Sequence, residues 1–238
     1  MRIPVVAGLI DRRMLVNFAI DAQVARAVIP RPFSPKLVNG KAIGGICLIR
    51  LKQVRPKGLP AFMGFGSENG AHRFAVEWHE NGELKEGVYI PRRDSSSSFN
   101  VAVGGRFFPG KHHHAIFDVE ESSTNYHVAF KSEDGAYVKV ESEITNGLSA
   151  NSVFKSLPEA SDFFKCGALG YSPNKKNYDG LLLNTLSWDV RPLKVNNVSS
   201  SFFEDRSVFP DGSIKFDNAL LMTNVSHEWL SAPDICID

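Results

Sequence analysis

Residues 86–100, EGVYIPRRDSSSSFN, gather more chemistry than any other stretch of the chain. A β-prone run, Gly87-Val88-Tyr89-Ile90, leads through Pro91 into Arg92, Arg93, Asp94 and four serines. A guanidinium fork matches the two oxygens of a carboxylate or phosphate, so Arg92 and Arg93 are candidate anion anchors. Successive strand residues face opposite sides, which predicts that at most one of them enters an interior pocket. Glu86 precedes this run and Glu77 lies across the Asn81-Gly82 turn. A carboxylate facing an apolar interior has a raised pKa and can act as acid or base, so both are candidate catalytic residues. The alternative for the pair is two solvated hairpin charges.

Other chemistry-bearing runs point less sharply. Lys111-His112-His113-His114 invites a metal reading, but adjacent strand histidines alternate faces and no HExxH-type spacing occurs, so no metal is predicted. Ser95 to Ser98 lack a Gly-x-Ser-x-Gly elbow. There is no P-loop and no dinucleotide fingerprint, and no cofactor is predicted.

The elements that must position these groups follow from periodicity. Arg73 to His79 alternates, with Phe74, Val76 and Trp78 on one face and Arg73, Ala75, Glu77 and His79 on the other. Asn81-Gly82 is a hairpin signal, which makes Glu86 to Ile90 the return strand. Lys41 to Gln53 reads as a strand in which Gly44-Gly45 marks a bulge or a close backbone approach. Further strands are expected at 100–103, 113–120, 125–131, 136–144, 178–189, 191–203 and 217–226, with an irregular tail from His227 to Asp238. Helical spacing over Ala22 to Ile29, with Asp21 as N-cap and Pro30-Arg31-Pro32 as stop, predicts one short helix. Ala160 to Cys166 predicts a second. Together these predict a mainly β (α+β) chain, a single-domain antiparallel β-barrel over residues 1–238 with two short helices.

Composition narrows the partners. The 238 residues carry 27 basic and 26 acidic side chains, a net charge of +1. That balance gives no electrostatic case for nucleic acid or an anionic membrane surface. Three widely spaced cysteines, Cys47, Cys166 and Cys236, fit reduced thiols. No apolar run is long enough to span a bilayer. The expectation is a soluble cytoplasmic protein, with a homo-oligomer left open.

The segment Asp21 to Phe33 (DAQVARAVIPRPF), the stretch EGVYIPRR and, more loosely, Ala219-Leu220 and His227-Glu228-Trp229 resemble the acetoacetate decarboxylase-like superfamily. Phe154 to Pro173 (FKSLPEASDFFKCGALGYSP) and Trp188 to Phe203 resemble its uncharacterised bacterial DUF2071 branch. The resemblance implies a cone-shaped β-barrel with an interior pocket. In the decarboxylase a lysine pair follows the proline: the first forms a Schiff base with a β-keto acid and the second lowers its pKa. Here Arg92 and Arg93 stand at those positions, and a permanently protonated guanidinium cannot form an imine. The resemblance also places Arg13 towards the pocket. The expected ligand is therefore a small organic acid held by Arg92, Arg93 or Arg13. Three readings remain: a lyase or isomerase in which Glu77 or Glu86 shuttles a proton, a non-enzymatic sensor or carrier, and imine chemistry moved to Lys85 or Lys111.

Overall fold

Strand β1 (Val6–Asp21) carries apolar side chains on both faces for most of its length, and the architecture explains why. The computed structural model describes residues 4–104, 109–175 and 177–236. After β1 come α1 (Ala22–Val28), the short β2 (Ser34–Pro35) and β3 (Leu37–Val38), and the long β4 (Lys41–Pro56) and β5 (Phe65–Glu80). β6 (Glu83–Ser95) leads to α2 (Ser98–Val103), then β7 (His112–Glu121), β8 (Asn125–Ser132) and β9 (Tyr137–Ile144). α3 (Leu157–Lys165), β10 (Leu169–Asn174), β11 (Asn177–Thr185), β12 (Arg191–Ser200) and β13 (Ile214–Cys236) complete the chain.

These strands form one sheet that closes on itself twice. One hydrogen-bonded circuit runs β13-β1-β4-β5-β6-β7-β8-β9-β12 and back to β13, nine strands. The other runs β13-β1-β4-β5-β6-β10-β11 and back to β13, seven strands. The five strands β13, β1, β4, β5 and β6 belong to both, so each of their faces looks into a different interior. On β1, Met14, Val16, Phe18 and Ile20 join the larger core while Leu15 joins a second cluster with Cys47, Ala75, Phe164 and Leu220. Pairing is antiparallel except where β7 and β10 join β6.

The local signals account for most elements. Asn81 and Gly82 both adopt positive φ (52° and 83°), the requirement of a two-residue hairpin turn between β5 and β6. At Gly45 an added Cβ would lie 2.5 Å from the Val16 carbonyl, so the close approach of β4 to β1 needs glycine there. α1 begins after Asp21 as expected, although the Asp21 carboxylate pairs with Lys41 rather than capping the helix. α3 starts with Ser156 accepting from the Glu159 amide (3.3 Å) while Glu159 accepts from the Lys155 amide (2.7 Å), close to a capping box.

Three further expectations differ from the structure. The segment 100–103 is helical, because Ser97 accepts from the Asn100 amide (3.2 Å) and nucleates α2. A third α-helix therefore joins the two expected. The expected irregular tail is strand as far as Cys236, its last two residues lying outside the described ones. Its partner β11 supplies the pairing, with a register shift between Tyr178 and Gly180 that accommodates Pro233.

Candidate functional site

A cavity of about 150 Å³ lies inside the seven-strand circuit, closed on one side by Phe163 and Phe164 of α3. Register places its polar groups. One cross-strand row reads Leu15, Cys47, Ala71, Arg93, His112 across β1, β4, β5, β6 and β7. The next reads Asn218, Asn17, Gly45, Arg73 across β13, β1, β4 and β5. Short side chains at Ala71 and Ala75 leave space between the longer ones.

Three arginines line this space: Arg13, Arg73 and Arg93. Arg73 is 5% exposed; its Nη2 donates to Asn17 Oδ1 (2.6 Å) and its guanidinium lies 5.2 Å from the centre of the Phe164 ring. Asn17 in turn donates to Asn218 Oδ1 (2.8 Å), which fixes its amide. The bare Cα of Gly45 lets this arm pass between strands, since a Cβ there would sit 3.1 Å from Asn17 Oδ1. Arg93 is partly accessible along the cavity wall, and its Nε donates to Ser172 Oγ (3.0 Å). Arg13 is buried with its guanidinium 6.0 Å from the Trp188 ring centre. Among the described residues none of the three forms an ion pair with a carboxylate, and the Nε atoms of Arg13 and Arg73 are buried without a hydrogen-bond partner.

Burial without a counter-ion leaves an electrostatic mark. Desolvation pushes Arg73 down to about 10, with the charge of Arg13 adding to it and Cys47 opposing it. Arg93 is also lowered to about 10 by burial, against the opposing influence of Cys47 and Asp179. His112, on the same wall, is lowered to about 3 by burial first and by Arg93 second. It is a neutral imidazole near neutral pH, with Nδ1–H donating to the Gly110 carbonyl (3.3 Å).

The neighbouring arginines separate as strand alternation requires. Arg92 turns away from the cavity and pairs with Asp94 (2.7 Å) and Asp134 (2.8 Å). Asp94 has a fully buried side chain and also accepts from Ser132 Oγ (2.6 Å). Glu86 lines the cavity and is ion-paired with Lys36, another lining residue, whose ammonium sits 4.8 Å from the Phe163 ring centre. Glu77 is the cross-strand neighbour of Glu86 but does not line the cavity. Lys85 pairs with Glu83 in solvent and Lys111 is exposed. His113 and His114 pair with Asp134 and Glu133 (3.2 Å each), and no metal-holding cluster occurs among the described residues. The serine run is built into the scaffold: Ser95 Oγ donates to Asn69 Oδ1 (2.7 Å), Ser96 accepts from the Glu68 amide (3.0 Å), and Ser97 caps α2.

Sequence reasoning did not place Arg73 or Lys36 at a site, weighed His112 only as a metal ligand and Cys47 only as a reduced thiol; all four line the cavity. Alternation put Arg73 on the face opposite Phe74, which is the cavity face. Its orientation depends on Gly45 on the adjacent strand β4 and on Asn17 one strand further across the sheet, on β1.

The DUF2071 profile, described as an uncharacterized conserved protein, matches residues 10–209. The chain belongs to the DUF2071 family. No protein of curated function matches it. The fold is that of solved acetoacetate decarboxylase-like structures. An acetoacetate decarboxylase-like enzyme from Sphingomonas wittichii RW1 superposes with a TM-score of 0.60 at 10% identity, over 100% of this chain and 94% of that one. Acetoacetate decarboxylase from Legionella pneumophila gives 0.61 at 10% identity, over 99% and 87%. The enduracididine biosynthesis enzyme MppR, complexed with pyruvate, gives 0.58 at 8% identity, over 100% and 91%. This DUF2071 chain shares their architecture. It also contains no helix, among the described residues, long and apolar enough to cross a membrane.

Proposed function

We propose that the cavity binds a small organic acid through Arg13, Arg73 and Arg93, without forming an imine. One observation carries this: three guanidiniums face one cavity, and among the described residues none has a carboxylate partner. Burying a charge without a partner is costly, so a protein that keeps three such groups gains when an anion arrives. The desolvated walls strengthen each charge-assisted hydrogen bond to that anion. A fold neighbour complexed with pyruvate is consistent with a ligand of this size and charge.

The lysine that lines the cavity, Lys36, is engaged in an ion pair with Glu86 rather than directed as a free amine at a carbonyl. Non-covalent proton transfer is a second reading, favoured by the position of Glu86 on the cavity wall. In that version Glu86 takes a proton from the carbon beside the carboxylate, and the arginines hold the enolate charge that develops.

Calorimetric titration with pyruvate and propionate, each against its own amide, tests the proposal. The acids bind and the amides do not. Arg93→Met weakens the acids by about tenfold or more, the value of a charged hydrogen bond. Equal binding of acid and amide, or an unchanged affinity in the variant, contradicts it.

A further inference from the structure

We infer that the natural ligand is a short dicarboxylic acid whose two carboxylates are held at opposite walls of the cavity. This rests on the organic-acid reading above and goes further in fixing the charge and the number of acidic groups.

Charge balance comes first. Arg13, Arg73 and Arg93 bring three positive charges to the cavity wall. Among the described residues the two carboxylates that line it are already engaged, Glu86 with Lys36 and Asp94 with Arg92. Arg93 lies in the field of one further carboxylate, Asp179, which is buried on β11 and accepts from Asn174 Nδ2 (2.8 Å). Among the described residues Arg73 has no ion-pair partner, and the charge of Arg13 adds to its desolvation. Its path to Asp217 passes through two neutral amides, Asn17 and Asn218. Three cations against one nearby anion leave two charges to be met. A monoacid would leave one of them buried and unanswered.

Placement comes second. Around the seven-strand circuit, β1 and β6 are separated by β4 and β5 on one side and by β13, β11 and β10 on the other. Arg13 and Arg93 therefore stand on strands, β1 and β6, that are as far apart around the wall as the circuit allows. Arg73, on β5, sits between them. A chain with an acid at each end can meet both ends of this arc at once. The apolar middle of the wall, Leu15, Ile49 and Ala71, suits the methylenes between the two acids.

Titration of the intact protein with succinate, butyrate and inorganic phosphate near neutral pH tests the inference. Succinate and butyrate share a carbon count and differ in the second acid, while phosphate offers two charges in one group. Succinate binds tighter than either by about tenfold or more, the value of one further charged contact. In Arg13→Met the preference for succinate over butyrate collapses and butyrate affinity changes little. Thermal melts establish that this variant folds; if it does not, Arg93→Met is used and predicts the same collapse. Equal binding of succinate and butyrate overturns the two-acid inference and leaves the organic-acid reading intact. Phosphate binding tightest also overturns it, in favour of a single dianionic group. Absence of binding by all three contradicts both.

Discussion

Arg92 and Arg93 are adjacent in sequence and opposite in role. Arg92 neutralises Asp94, whose side chain is fully buried, while Arg93 faces the cavity without a carboxylate partner. Truncating each therefore moves stability in opposite directions. Arg92→Met strands a buried carboxylate and costs about 3–5 kcal/mol, whereas Arg93→Met removes a desolvated charge that has no ion-pair partner and is neutral or stabilising. Urea denaturation of the two variants without ligand measures both. Alternation along a strand made the split between the two arginines legible from sequence, but not which of them faces inward. That choice is set by the bulge between His72 and Phe74 in the β5–β6 pairing, and by Asp134 waiting on the far side. Lys36 was not legible as a cavity residue, because only the tertiary path after α1 brings it beside Glu86.

Among the elements, the shared strands do the positioning. A strand buried on both faces loses the apolar–polar alternation by which strands are recognised. This is why the second half of β1 carries a helix-like pattern, with Val16, Ile20 and Val24 at four-residue spacing although only Val24 is helical. By contrast β5 and β6 were legible, since Asn81-Gly82 fixes their turn and hence their register. Gly45 is the element-level device that lets β1 and β4 close while Asn17 reaches Arg73. Gly45→Ala places a methyl 2.5 Å from the Val16 carbonyl. It costs about 1–3 kcal/mol, the usual penalty of overpacking, and weakens acid binding through the displaced Arg73. Thermal melts and the same titrations read the two effects separately. Gly40→Ala, with no atom within 4 Å of the added carbon but a positive φ of 78°, affects stability without touching affinity.

For the whole molecule, the mainly β, acetoacetate decarboxylase-like architecture was legible from strand spacing and from the resemblance of a few segments. The double closure was not. It depends on pairings such as β6 with β10 and β11 with β13, which join residues far apart in the chain and leave no periodic trace. Closing two interiors also buries His72 and His227 and partly buries His112. His72 and His112 are lowered to about 3 and His227 to about 4, in each case by desolvation first and by a nearby arginine second. A folded pKa below the unfolded value of 6.5 means that the unfolded chain binds more protons between those limits. Stability is thus fully present above about pH 6.5 and falls as the pH drops towards 4, with a slope approaching ~4 kcal/mol per pH unit for three groups. Urea titrations across this range measure the slope, and His112→Gln reduces it by the share of one proton. A flat profile between pH 7 and 5 contradicts the burial of these rings in the neutral form.

The central claim is that unpaired guanidiniums in the seven-strand circuit hold an organic acid. A crystal structure of the protein grown with saturating pyruvate tests it most directly. The account predicts a carboxylate within hydrogen-bonding distance of Arg93 and of at least one of Arg13 and Arg73, with no covalent link to Lys36. Pyruvate joined to Lys36, or a cavity without ligand while the acid sits elsewhere on the surface, would contradict it.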